Sequence, residues 1–193
     1  MVLSRLALVT ALSTASPFAA PARAPLVCSR GPSAQWFNAV VTMPASWPAG
    51  STFAVRIDSV PSGTISHMGL NYIHDMTTDY FVPTGTRYVT GSARLVPGTG
   101  TPNVCEGARA WGDAAGIHLR LPGRVENGSS YTPPSLEFQV EIGAPAGALV
   151  ELRFRRYQVT ANVFLLGDLH TTCAPNPNPY TIGVTHVEAW PPT

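Results

Sequence analysis

Two pairs of acidic and histidine residues are the best candidates for chemistry in this sequence. In Asp168-Leu169-His170 the two titratable residues are two positions apart, so both side chains point to the same side if the segment is extended. A carboxylate and an imidazole placed in this way could form an acid–base pair or bind a metal ion together. The alternative is a polar turn after Gly167. We favour this structural role, because no partner motif accompanies the pair.

The second pair is His74-Asp75. Adjacent residues on a strand point to opposite faces, so these two can cooperate only if a turn intervenes. A zinc site could combine His67, His74 and Asp168, although the spacing does not require one. An enzyme would draw its residues from a set of five: His67, His74, Asp75, Asp168 and His170. We predict instead that the chain has no catalytic residues, cofactor or metal.

Other sequence features give little support for an enzyme. The sequence contains no G-x-S-x-G, H-E-x-x-H or C-x-x-C motif and no phosphate-binding glycine loop. It contains no lysine, which excludes a lysine base or Schiff base. Catalytic triads are recognised by geometry, however, so missing motifs do not exclude catalysis. We predict that His118 and His186 lie on solvated strand faces.

Aromatic and basic residues could serve in binding, which is the alternative to catalysis. A carbohydrate-stacking surface could form from six aromatics, although packing is their commoner use; they are Trp36, Trp47, Trp111, Trp190, Tyr72 and Tyr80. Arg153, Arg155 and Arg156 form a small basic cluster. The net charge of +1 gives no reason to expect nucleic acid or an anionic membrane as a partner.

Strand-like alternation must position these groups, and it is most informative after Leu149. Val150, Leu152 and Phe154 alternate with charged residues, and the phase then flips, so that the apolar set continues from Tyr157. A strand has a side-chain period of two, so the flip requires one extra residue near Arg155. A β-bulge or a strand that crosses between two packed sheets would provide it.

The whole sequence indicates an all-β fold. About eight or nine segments alternate in this way, the clearest over 136–142, and 19 prolines and 17 glycines suit the turns between them. No segment after residue 22 shows a helical period. We therefore predict a single antiparallel β-sandwich domain, immunoglobulin-like, over residues 23–193.

Residues 1–22 resemble a signal peptide. Arg5 supplies the positive charge, Leu6–Ala20 is a short apolar stretch, and Ala20-Pro21-Ala22 is a small-x-small cleavage site. The alternative of an uncleaved anchor is disfavoured because the apolar stretch is shorter than the ~20 residues that span a bilayer. We predict a secreted protein, extracellular or associated with the cell envelope, with no transmembrane segment in the mature chain.

Export favours disulfides. The sequence has three cysteines, Cys28, Cys105 and Cys173, so at most one internal bridge forms.

Three segments of the sequence are similar to secreted, uncharacterised β-sandwich domain proteins common in actinobacteria. These are Pro44-x-x-Trp47-x-x-Gly50-x-x-Phe53 after an early cysteine, the run over 71–76, and the ending Thr171-Thr172-Cys173 with the prolines that follow it. The resemblance covers about residues 26–188.

That family has no established activity, so the resemblance implies none for this chain. The resemblance implies a β-sandwich, an exported protein and a Cys28–Cys173 disulfide, and it leaves Cys105 as a departure from the pattern. Cys28 precedes the first predicted strand and Cys173 follows a late one, so the two can meet if those strands lie together. We predict that Cys105 stays free.

The sequence therefore favours a non-enzymatic module that acts in binding or structure at the cell envelope or outside the cell. Its partner would be a protein or an envelope glycan. The alternative is a secreted hydrolase or metal-dependent enzyme, which must bring at least two of the five candidate side chains together in a pocket.

Overall fold

The computed structural model describes residues 17–30 and 35–189, and these residues are mainly β-strands. The first sixteen residues of the predicted signal peptide lie outside the described part. One helix, α1, is a single turn over Pro102–Cys105. The strands are β1 (Pro17–Cys28), β2 (Gln35–Pro44), β3 (Ser46–Pro48), β4 (Thr52–Ser59), β5 (Leu70–Tyr80), β6 (Thr86–Tyr88), β7 (Arg94–Leu95), β8 (Arg109–Asp113), β9 (Gly116–Leu121), β10 (Val125–Glu126), β11 (Leu136–Ile142), β12 (Leu149–Val163), β13 (Gly167–Pro175) and β14 (Tyr180–Glu188).

The strands form two packed layers that are joined along one side. The hydrogen-bonded order is β6-β11-β4-β2-β1-β13-β12-β5-β9-β8, with β14 beside the first part of β12. One layer contains the first five strands of this order, which are β6, β11, β4, β2 and β1. The other layer contains β14, β12, β5, β9 and β8. β13 joins the layers because it pairs with both β1 and β12. Neighbours are antiparallel, apart from the parallel pairing of β14 with β3.

This arrangement confirms the predicted β-sandwich. The described residues form fourteen strands where eight or nine were predicted. The longer strands β1 and β13 were interpreted as the end of a signal peptide and as a polar turn, and β3, β6, β7 and β10 have only two or three residues. Alternation over so few residues cannot be distinguished from a loop.

The main core lies between the layers and follows from period-two alternation. In β4, Phe53, Val55 and Ile57 are at most 5% exposed, and they pair with the buried side of β11. The other layer contributes Phe154, whose ring stacks on Phe37 with centroids 4.2 Å apart. On the solvent side of β11, Glu137 and Glu141 make exposed ion pairs with arginines.

The predicted phase flip in β12 is confirmed, and a bulge is its cause; β12 does not cross between the layers, because it pairs with β5 on both sides of the flip. The pairing of β12 with β5 shifts register between Phe154 and Arg156. At the same place β12 exchanges its other partner, from β14 to β13. Beyond the shift, Tyr157, Val159 and Ala161 pack against a second, smaller cluster; its buried members are Ile73, Met76, Val104, Leu119, Leu121 and Val125.

The Cys28–Cys173 disulfide joins β1 to β13. The two cysteines are opposite one another in the strand pairing, with Cα atoms 3.9 Å apart. Cys105, at the end of α1, is free and partly exposed. Burial raises the pKa of its thiol, which lowers the fraction of reactive thiolate.

The predicted cleavage site lies inside β1. This strand begins at Pro17 and pairs with β2 from Pro17 to Leu26. A cut after Ala22 would leave Arg23–Cys28 as the first strand, and the signal peptide stays a prediction. Within the described ranges, no helix is both long and apolar enough to cross a membrane.

Candidate functional site

The candidate acid and histidine residues lie on the outer, solvent-facing side of the second layer. β5, β12 and β13 are adjacent there, so residues far apart in sequence become cross-strand neighbours. Thr160 on β12 is paired with His74 on β5 and with His170 on β13. The next outward position of β12, Asn162, is paired with Asp168.

A bulge in β5 brings His74 and Asp75 to the same side. Thr160 pairs with His74 and Gln158 with Thr77, so two residues of β5 lie opposite one residue of β12. Asp75 adopts φ = 48°, a left-handed conformation that non-glycine residues rarely take. This bulge is the turn that the sequence required for the pair to cooperate.

The three residues His74, Asp75 and Asp168 form a histidine–acid cluster. Nδ1 of His74 lies 3.3 Å from Oδ2 of Asp75, and Nε2 lies 3.5 Å from Oδ2 of Asp168. The second contact is an ion-pair distance without hydrogen-bond geometry, so the buried Nε2 atom has no hydrogen-bond partner within the described residues.

Both carboxylates of this cluster are also held by other side chains. Arg120 Nη2 donates to Asp75 over 2.8 Å and lowers the pKa of that carboxyl group. Asn162 Nδ2 donates to Asp168 over 2.7 Å, and this bond, with His74, lowers the pKa of Asp168. Both groups are therefore fixed as carboxylates near neutral pH.

His67 and His170 do not join the cluster. Nδ1 of His67 contacts the carbonyl oxygen of Met68 at 2.8 Å, and Nε2 of His170 lies 3.3 Å from the amide of Gln158. The favoured interpretation of Asp168–His170 as a polar turn is wrong, because both residues lie in strand β13. They share one face, as the alternative of an extended segment implies, but each has a different partner. The hypothetical zinc set of His67, His74 and Asp168 is not assembled. No three His, Cys, Asp or Glu residues in the described part of the chain are arranged to hold a metal ion.

The sequence prediction for His118 is wrong. Its side chain is only 9% exposed, with Nδ1 2.7 Å from Asp79 and Nε2 3.2 Å from Asp113. Asp79 is 1% exposed and also contacts Nε of Arg156 at 2.5 Å, while the ring of Trp111 stacks on His118. His118 is paired with Asp79 across β9 and β5, and with Trp111 across β9 and β8. No local motif reveals these contacts, because they depend on which strands are neighbours. His186 is exposed, as predicted.

A different feature, a cleft between the layers, was missed by the sequence analysis. It has a volume of about 430 Å³ and is lined mainly by residues of β1, β2, β5, β9 and β12 and of the loop that follows β4. Trp36, half exposed, is one of its lining residues. The lining is mixed: its apolar and aromatic members include Leu26, Phe37, Val60, Ile65, Ile73, Tyr80, Leu119, Tyr131, Tyr157 and Val159, and its polar members are Gln35, Asn38, Ser59, Ser62 and Thr78. None of the five candidate acid and histidine residues lines it.

Two tyrosine hydroxyl groups give the cleft a polar point. The hydroxyl oxygens of Tyr131 and Tyr157 lie 3.3 Å apart. Burial raises the pKa of both phenols, so both remain protonated donors at neutral pH. Hydrogen-bonding groups placed among apolar side chains suit the orientation of a ligand that has both polar and apolar parts.

The six aromatics considered for sugar stacking are used separately. Tyr80 is only 3% exposed, and Trp47 packs edge-on against Phe53. Trp111 covers His118, and Tyr72 lies beneath the guanidinium of Arg124. Trp190 lies outside the described residues. Of the described members, Trp36 alone combines high exposure with a place at the cleft.

Comparisons with known proteins give no family for this chain. No protein-family model matches it, and no curated protein does. A crystal structure of a protein from Corynebacterium diphtheriae, described as membrane anchored, is similar over 90% of the chain with 15% identity and a TM-score of 0.43. The chain spans 38% of that protein's length. The sixth cohesin of Acetivibrio cellulolyticus scaffoldin B, solved with a Cel5 dockerin, is similar over 75% of this chain and 93% of the cohesin, with 17% identity and a TM-score of 0.36.

Proposed function

We propose that this protein is a non-enzymatic binding module that acts outside the cell or at the cell envelope. The observation that carries the proposal is the open cleft between the layers. Its volume of about 430 Å³ lies within the range of roughly 300–1,000 Å³ that is usual for small-molecule sites. The Cys28–Cys173 disulfide fits an oxidising compartment.

The lining of the cleft defines the ligand. Aliphatic and aromatic side chains alternate with polar ones around the space, and the paired hydroxyl groups of Tyr131 and Tyr157 add hydrogen-bonding groups to those of Gln35, Asn38 and Thr78. The ligand is therefore a small amphipathic molecule, or part of an envelope molecule, that combines an apolar portion with polar groups. The guanidinium of Arg23 lies 4.0 Å over one face of the Trp36 ring, so only the other face is free for an aromatic or ring-shaped portion.

Titration with N-phenyl-1-naphthylamine, a neutral aromatic amine, tests this site through the fluorescence of the bound probe. We expect saturable binding with one site per chain. Val159→Phe should lower the affinity about tenfold, because the larger ring fills the cleft. Tyr157→Phe should lower it about fivefold, because one hydrogen bond is lost.

Val184→Phe is the matched control, since Val184 is an exposed valine of β14 that does not line the cleft. It should bind the probe as the native protein does. Non-saturable binding, or equal affinity of the Val159→Phe and native proteins, would contradict the proposal.

A hydrolase or metal-dependent enzyme is the second candidate, and one observation favours it. The unpartnered Nε2 atom of His74, with acids near both ring nitrogens, is an arrangement that acid–base sites also use. Zinc titration by calorimetry tests this reading. Tight one-to-one binding that vanishes in His74→Gln but persists in His170→Ala, a control outside the cluster, would replace the binding-module proposal with a metal site.

A further inference from the structure

The turn between β12 and β13 consists of exposed apolar residues. Phe164, Leu165 and Leu166 are 65%, 89% and 68% exposed, and Met68, on a neighbouring loop, is 94% exposed. Contiguous exposed apolar groups mark interaction sites. We call these four residues the apolar tip.

The backbone holds the apolar tip together. The amide of Phe164 donates to the carbonyl of Gly69 over 2.7 Å, which ties the turn to the loop that carries Met68. The amide of Leu166 donates to the carbonyl of Val163 over 3.1 Å. Leu165 itself adopts φ = 63°, a conformation that costs free energy for a branched residue. A strained, exposed leucine is an outlier that points to function at this turn.

Directly behind the tip lies a collar of polar side chains. Asn71 donates to Asn162 over 2.8 Å, and Asn162 donates to Asp168 over 2.7 Å. Tyr72 and Arg124 stack beside them, with the guanidinium 3.4 Å from the ring centroid. An apolar end followed by tyrosine, arginine and amide groups matches the change from acyl chains to headgroups at a lipid surface.

The same arrangement fits a protein partner poorly. A standard protein interface uses about 20–30 residues on each side, far more than the four of the apolar tip. A larger interface here would also cover the collar and remove the charged Asp168 from water, which is costly. At a membrane the collar stays among hydrated headgroups.

We propose that the apolar tip inserts into the surface of a lipid bilayer and attaches the module to it. The collar has no surplus of basic residues: Arg124 pairs with Glu126, and Arg120 with Asp75. Attachment therefore depends on apolar insertion and not on anionic lipid. Four side chains give weak, reversible binding, of the order of that of one acyl chain. The proposal is independent of the ligand cleft.

Co-sedimentation of the purified protein with phosphatidylcholine vesicles tests the attachment. We expect the native protein to bind, with little change when phosphatidylglycerol is added or the salt concentration is raised. Leu165→Asn should lower the partition coefficient about tenfold, since one apolar side chain no longer inserts. Asparagine tolerates a left-handed backbone, so this variant should fold as the native protein does.

Val184→Asn is the matched control, because it removes an exposed apolar side chain far from the tip in the fold; it should bind vesicles like the native protein. Leu166→Ser provides a second variant of the tip and should also weaken binding. Three outcomes would overturn the proposal: no binding by the native protein, equal binding by Leu165→Asn, or binding that requires phosphatidylglycerol and disappears with salt. A native dimer that Leu165→Asn dissociates without lipid would assign the tip to a second copy instead. Probe binding in the cleft should be unchanged in Leu165→Asn, so the two proposals fail separately.

Discussion

Asp75 has a backbone angle of φ = 48°, and this one residue determines which side chains meet on the outer face. The bulge turns its carboxylate towards both His74 and Arg120. The sequence identified His74, Asp75 and Asp168 as candidates. It could not predict their convergence, because strand alternation alone places adjacent residues on opposite faces.

Removal of Arg120 should produce a small, pH-dependent loss of stability. Arg120 lowers the pKa of Asp75, so the stabilisation is present above the ordinary value of 3.8 and is lost as the pH falls through the lower folded value. Both side chains are about 40% exposed, so Arg120→Ala should cost less than about 1 kcal/mol at pH 7. Urea unfolding at pH 7 and below pH 3 measures the difference.

The difference in the free energy of unfolding between Arg120→Ala and the native protein should become smaller as the pH falls. Arg94→Ala removes an exposed pair with Glu137 and serves as the control for loss of a surface arginine. If this difference in free energy stays constant down to acid pH, Arg120 stabilises the fold by something other than its ion pair to Asp75.

At the level of one strand, the register shift within β12 determines which groups two adjacent arginines contact. Arg156 contacts the buried carboxylate of Asp79, whereas Arg155 donates to the backbone carbonyl of Ala115 in an exposed contact. The alternation of β12 predicted the shift. It could not identify Asp79 as the partner, since that contact joins residues 77 positions apart.

Arg156→Gln should destabilise the protein by about 3 kcal/mol, because it removes the main counter-charge of a carboxylate that is 1% exposed. Arg155→Gln, one residue away, should cost less than about 1 kcal/mol. Chemical denaturation of the two variants gives the comparison. Equal losses would mean that His118 alone compensates the charge of Asp79.

At the scale of the whole molecule, the sequence predicted the sandwich and its disulfide but not the cleft between the layers. Alternation identifies which residues of β4, β11 and β12 face inward, and hence predicts a core. The cleft is lined by residues from several strands and from the loop after β4, and such convergence of distant segments leaves no periodic trace in the sequence.

Loss of the disulfide should be the largest single change in stability. Cys28 and Cys173 are 145 residues apart, and closure of a loop of that length is worth about 4–5 kcal/mol on the chain-entropy model. The double variant Cys28→Ser/Cys173→Ser should therefore melt at a much lower temperature, measured by differential scanning calorimetry. Cys105→Ser should melt close to the native temperature, and a large drop would indicate that the thiol packs more tightly than its partial exposure suggests.

The mature N-terminus can be measured directly on secreted protein. We expect intact-mass spectrometry to give a chain that begins at Arg23, which leaves the last six residues of β1 and the disulfide in place. That product would free one edge of β2 opposite residues 17–22. A mass that includes Met1–Ala22 would contradict the predicted signal peptide.

The position of the disulfide also governs how the protein responds to mechanical force. A pull applied through both ends of the chain reaches Cys28 and Cys173 before it reaches the strands between them. The two cysteines are 145 positions apart, so roughly 500 Å of extended chain is withheld from the force. An oxidised module can lengthen only by peeling its terminal strands, whereas a reduced one can unravel completely. A surface-attached copy would therefore keep its apolar tip, and the part of the cleft lining that lies between the two cysteines, under loads that extend its ends.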